Sequence, residues 1–218
     1  MSIERFVFIV TYGRSGSTIL QKIVGEAPGF YIAGENKDAL FGLYESCRSV
    51  AYAKRYFGGS VTTSGDPWYG ADRLNPLEYA RKLSTLFIDE VIRPPAEARV
   101  VGFKEIRYIE YPKLLLDYLG FIKHAFEPAQ FVFCTRDPEA VANSSWWRGR
   151  PKQSVIEMIG NFEALTDQFA AANPEKCYKI RYEDFTTNLE TLMPLLKFLG
   201  ADLRREVVRE ILATRLKH

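Results

Sequence analysis

The chain has 218 residues, 47% hydrophobic and 14% aromatic, enough to bury one substantial core in a single domain over residues 1–218. Its 29 basic and 27 acidic residues leave a net charge of +2, which argues against a nucleic-acid binder built on a broad basic surface. Three cysteines without metal-ligand spacing, and an N-terminal apolar run no longer than Phe6 to Val10, predict a reducing compartment, no signal peptide and no membrane span, hence the cytoplasm.

Alternating strand and helix patterns predict an α/β fold with a central parallel sheet flanked by helices in three layers. Phe6-Val-Phe-Ile-Val10 reads as a buried strand, Thr11-Tyr-Gly-Arg-Ser-Gly-Ser-Thr18 as a small-residue turn and Ser17 to Glu26 as a helix. Gly13 and Gly16 allow successive amides to aim at one point, and the helix opened by Ser17 and Thr18 favours an anion at its N-terminus. The segment is a phosphate-binding loop of P-loop type, but it departs from Walker A. Thr11 stands where the first Gly belongs and Ser17 where the phosphate-gripping Lys belongs, and the cation has moved to Arg14.

A strand over Phe30 to Ala33 leads through Gly34-Glu35 to a helix over Lys37 to Phe57. Gly58 to Pro67, followed by Trp68-Tyr69, is an extended loop and a candidate lid. Next come a helix over Pro76 to Ile92, a strand over Val100 to Phe103 ending at Lys104-Glu105, and a helix over Tyr111 to Leu119. His124 falls in a loop-like stretch and His218 is the last residue, so neither sits where such a sheet gathers its chemistry.

The strand Phe131 to Cys134 runs into Thr135-Arg136 instead of the acidic residue a nucleoside triphosphatase uses for magnesium. Asp137 as cap and Pro138 in the first turn start a helix to Trp147, which puts Ser144 about two turns beyond Arg136. Trp146 and Trp147 pack there or stack on a ring. A helix over Lys152 to Ala172, a strand over Cys177 to Ile180 ending in Arg181-Tyr-Glu-Asp184, and helices over Leu189 to Leu199 and Leu203 to Leu216 complete the chain.

Tyr12-Gly-Arg-Ser-Gly-Ser-Thr18 resembles the 5'-phosphosulfate loop of sulfotransferases, in the Arg-Ser-Gly-Ser form of the carbohydrate enzymes. The resemblance implies an enzyme that uses 3'-phosphoadenosine 5'-phosphosulfate (PAPS) without a metal and sulfates a hydroxyl, that of a saccharide; the missing N-terminal anchor of the Golgi sulfotransferases predicts a soluble, bacterial one. It puts Arg14, Ser15, Gly16, Ser17 and Thr18 at the 5'-phosphosulfate, Arg136 and Ser144 at the 3'-phosphate, and Tyr182 near the adenine. The competing structural reading has Tyr182 in the core and Glu183-Asp184 as helix caps.

Lys104 matches the Lys of the Lys-Thr-His segment of the cytosolic enzymes, without the His, and is the cation expected to stabilise oxygen charge. Glu35, in a Gly-Glu pair that several carbohydrate sulfotransferases carry, is the expected general base, with Glu105 second; its other reading is a cap or ion-pair partner. A carboxylate with an ordinary pKa of roughly 4.3 suits this role if the proton moves late, as the bond to sulfur forms. The glycine-rich C-terminal segment that closes over the 3'-phosphate in cytosolic enzymes has no match: either another basic side chain, such as Arg148 or Arg150, performs that role or the nucleotide is left more open. Two alternatives remain: a magnesium-dependent nucleotide kinase, which lacks its Walker lysine here, and a non-catalytic nucleotide-binding module.

Overall fold

The computed structural model describes residues 3–214. Five strands form one sheet: β1 (Arg5–Val10), β2 (Phe30–Ala33), β3 (Val100–Glu105), β4 (Ala129–Thr135) and β5 (Cys177–Arg181). Their order is β2-β3-β1-β4-β5 and every neighbouring pair is parallel. The helices are α1 (Ser17–Gly25), α2 (Ala39–Phe57), α3 (Pro76–Phe87), α4 (Leu115–Ala125), α5 (Pro138–Ala142), α6 (Lys152–Ala172), α7 (Tyr182–Thr187), α8 (Met193–Leu199) and α9 (Arg205–Ala213).

The sheet separates two unlike cores because strand side chains alternate between faces. Phe8, Val10, Phe103, Phe131 and Phe133 join an aromatic layer with α3, α4 and α6, whereas Val7, Ile9, Val132, Cys134 and Ile180 join an aliphatic layer with α1, α8 and α9. This is the predicted three-layer α/β architecture of P-loop type. Gly102 is what lets β3 approach β1, since a Cβ there would overlap the Val7 carbonyl. Among the described residues, no helix is long and apolar enough to cross a membrane.

All five predicted strands are present, and β3 runs two residues further, through Lys104 and Glu105. The helices differ more. The helix expected over Tyr111 to Leu119 lies instead at Leu115–Ala125, because its buried stripe is Leu115, Tyr118, Leu119 and Ile122, and this puts His124 in its last turn. The helix expected from Pro138 to Trp147 stops at Ala142: Ser144 is extended and Ser145 takes a φ of 46°. The helix expected over Leu203 to Leu216 runs over Arg205–Ala213 within the described residues, and His218 lies outside them.

Candidate active site

Each strand delivers a nominated residue from its C-terminal end. β1 runs into the Tyr12–Thr18 loop, β2 is followed by Glu35, β3 carries Lys104, β4 leads to Arg136 and β5 to Tyr182. Open parallel sheets bind ligands at this edge. The strand order sets the sequence across the cleft as Glu35, Lys104, the loop, Arg136 and Tyr182. Arg14, Gly16, Ser17, Thr18, Glu35, Lys104, Arg136 and Tyr182 all line one cleft of about 760 Å³.

The loop is fixed from several sides. Gly16 has a φ of 81°, and a Cβ there would overlap the Tyr182 ring, so both conformation and space call for glycine. Arg14 is left-handed with a φ of 71°, and its carbonyl accepts from Arg136 Nη1 at 3.0 Å. Trp147 is buried and its indole N–H donates to the Gly13 carbonyl at 2.9 Å, while the exposed Trp146 lies over Gly13. Beneath the loop, Tyr12 Oη accepts from the Arg136 amide at 2.9 Å and donates to Glu163 at 2.9 Å. Burial, with the nearby Glu163 carboxylate, pushes the Tyr12 phenol well above its ordinary range and keeps it protonated.

The nominated loop residues do not all face the same way. The Ser15 hydroxyl is buried, 2.7 Å from Thr11 Oγ1, and Ser15 N–H donates to the Tyr12 carbonyl at 3.4 Å, so this residue faces the loop's own backbone. The Ser144 hydroxyl accepts from Arg14 Nε at 3.1 Å. The guanidinium of Arg136 stacks 4.6 Å above the Tyr182 ring, and its buried Nε, 3.9 Å from Glu183 Oε1, makes no hydrogen bond among the described residues. A donor so placed, beside glycine-cradled amides, fits a phosphate-bearing ligand.

At the β2–β3 end, Lys104 Nζ lies 2.5 Å from Glu35 Oε1, with Lys104 almost fully buried and Glu35 half-buried. Arg107 Nη1 is 3.6 Å from Glu35 Oε2 and 2.8 Å from Glu105 Oε1. Because neighbours on a strand point to opposite faces, Lys104 enters the cleft and Glu105 does not. Glu105 is fully buried, and both of its oxygens are occupied by N–H donors. Its carboxylate therefore has no access to an acceptor hydroxyl.

A sequence model of the sulfotransferase family matches residues 7–205. The chain belongs to the sulfotransferase family. Solved structures that resemble this sulfotransferase include a sulfotransferase domain from the curacin biosynthetic pathway, with a TM-score of 0.59 and 16% identity over 95% of this chain and 77% of that one. Sulfotransferase STF9 from Mycobacterium avium gives a TM-score of 0.45 and 13% identity over 97% and 67% of the two chains. At 16% identity the likeness to the curacin-pathway domain is one of fold. No curated protein matches the chain.

The cleft of this sulfotransferase also includes residues that sequence reasoning did not nominate as ligand contacts: Gly13, Ile19, Ile106, Ser145, Leu212 and Thr214. Leu212 and Thr214 come from the end of α9, which packs on α1, and nothing in their sequence marks them. Trp146, an ambiguous aromatic in the sequence, lines the cleft, whereas Trp147 is packing. Gly58 to Pro67 contributes no lining residue; Thr62 tethers it to Asp72 at 2.6 Å, and Trp68 stacks on Phe57 at 3.8 Å. His124 lines a separate hollow with Ile3 and Phe6, at the opposite edge of the sheet.

Proposed function

We propose that this sulfotransferase uses PAPS as donor and sulfates a saccharide hydroxyl in the cytoplasm. The observation that carries the reading is the lateral order at the sheet edge, with Glu35 and Lys104 on one side of the anion loop and Arg136 and Tyr182 on the other. This order divides the cleft into an acceptor end and a nucleotide end. When bound, PAPS supplies an activated sulfuryl group whose bond to the 5'-phosphate oxygen breaks as the bond to the acceptor oxygen forms.

The chain's own groups then have separate tasks. Arg14 and the amides of Gly16, Ser17 and Thr18 hold the 5' end, with Ser15 bracing the loop from below. Arg136 offers its guanidinium to the 3'-phosphate, Ser144 acts on the same region by orienting Arg14, and Tyr182 presents its ring beside the nucleotide. Lys104 stabilises charge on the leaving oxygen, and Glu35 takes the acceptor proton. Trp146 lies over Gly13 on the nucleotide side of the loop, so the saccharide rests on the resemblance of Arg14-Ser-Gly-Ser17 to the loop of the carbohydrate enzymes. Buried Cys47 and Cys134, both free thiols, support a reducing compartment.

Calorimetric titration with 3'-phosphoadenosine 5'-phosphate (PAP) and with ATP, each with and without magnesium, tests the donor. Metal-independent binding of PAP that Arg136→Ala weakens tenfold or more is expected. Magnesium-dependent preference for ATP would return the chain to the kinases. A panel of sugars and phenols assayed for PAP release from PAPS then tests the acceptor; preference for phenols sinks the saccharide, and PAP binding without turnover on any acceptor favours a binding module.

A further inference from the structure

Glu105 carries a carboxyl group into the interior, and the geometry shows what it organises. Its Oε2 accepts from the amides of Asn36 at 3.2 Å and Asp38 at 2.8 Å. Its Oε1 accepts from the amides of Ile106 at 2.8 Å and Arg107 at 3.2 Å, and from Arg107 Nη1 at 2.8 Å. The segment it grips is unusual: Lys37 and Asp38 are consecutive left-handed residues, with φ of 62° and 54°. Such conformations are costly for non-glycine residues and persist only when the surroundings enforce them. The enforced segment begins beside Glu35.

Arg107 links this anchor to the acid–base pair, because the Nη1 held by Glu105 is also the atom facing Glu35 Oε2. Lys104 holds Oε1 with one of the three N–H donors of its ammonium, whereas Oε2 faces Arg107. We propose that Arg107, anchored on buried Glu105, is a positioning residue that fixes the second oxygen of Glu35 and keeps the carboxylate aimed at the acceptor while Lys104 also serves the sulfuryl donor. The proposal rests on the reading of Glu35 as base. Arg107 suits the task because its planar fork is rigid and always charged. Asp38 and Glu110 face the same guanidinium and add to its retention.

Arg107→Gln, Arg107→Lys and Glu35→Gln are compared in three measurements: PAP affinity by calorimetry, hydrogen exchange of the peptide spanning residues 34–38, and the rate of PAP release from PAPS with the acceptor panel. Arg107→Gln is expected to keep PAP affinity within twofold and leave exchange at 34–38 unchanged, since Glu105 retains the amides, yet to slow turnover at least tenfold. Arg107→Lys is expected to recover part of that loss, and it carries the comparison if Arg107→Gln does not fold. Turnover within twofold of wild type in Arg107→Gln, with Glu35→Gln inactive, overturns the positioning role and leaves the base in place. Loss of PAP affinity in Arg107→Gln makes Arg107 a donor-site cation, and rapid exchange at 34–38 makes it a backbone brace; either result overturns the proposal. An active Glu35→Gln overturns the base and this inference with it.

Discussion

Arg14 Nε donates to the hydroxyl of Ser144 across 3.1 Å, although the two residues are 130 positions apart in the chain. Together with the bond from Arg136 to the Arg14 carbonyl, it makes the Tyr12–Thr18 loop and the segment after β4 one unit centred on Arg14. Ser144→Ala is therefore expected to weaken PAP binding roughly tenfold, about 1.5 kcal/mol for a hydrogen bond to a charged group. The effect acts through Arg14, so Ser144→Ala and Arg14→Ala should be non-additive in a double-mutant cycle read by calorimetry. Additive losses would mean that Ser144 meets the ligand alone.

Lys104 is held by a single carboxylate and otherwise buried at the cleft floor. Lys104→Ala is expected to slow turnover by about 100-fold, the effect of removing one preorganised donor to a developing oxyanion. PAP affinity should change less than tenfold, and steady-state rates beside calorimetry separate the two. Equal losses in both would reduce Lys104 to a binding cation.

Asp38 gives a pH signature. Burial, opposed by the Tyr118 hydrogen bond and reinforced by Glu105, raises its carboxyl from 3.8 to about 6. The folded protein thus holds this proton more tightly than the unfolded chain, so its contribution favours folding at acid pH and is lost as pH rises from about 4 to 6, in full about 3 kcal/mol. Asp38→Asn keeps an acceptor for Tyr118, tolerates the left-handed backbone and carries no charge. It is expected to stabilise the protein by about 2 kcal/mol at pH 7.5 and to have little effect at pH 4, as read by urea unfolding. A pH-independent difference between the two proteins would rule Asp38 out as the source.

Gly102→Ala tests the closeness of β1 and β3. The added methyl meets the Val7 backbone, which cannot yield without separating the central pair of strands. A loss of at least ~3 kcal/mol is expected in thermal or urea unfolding, at the upper end of overpacking costs because the obstacle is main chain.

The sheet was legible because each strand is a short apolar run closed by turn residues, and parallel central strands need nothing more from their sequence. The anion loop was legible for the same local reason, since small residues between a buried strand and a helix specify it. Positions set by distant partners were not. Asn143 ends α5 early, and the Ser144–Ser145 turn swings the tryptophans onto Gly13, a contact 134 positions away that no local propensity encodes. Tyr182 opens a short helix that the sequence reading missed, because its six residues carry too little periodicity to register. Glu105 read as a spare base since an acidic residue beside Lys104 looks reactive in one dimension; the alternation of β3 and the amides of Asn36 and Asp38 give it an organising place instead.

The lining role of Leu212 and Thr214 bears on how the protein is handled. Because these two side chains form part of the cleft wall, removing the end of α9 would open that wall as well as strip the helix from α1. Arg5 starts β1 at the far edge of the sheet, so a leader attached ahead of it emerges a full strand length away. Immobilising the enzyme by that side leaves its reactive face open to solution.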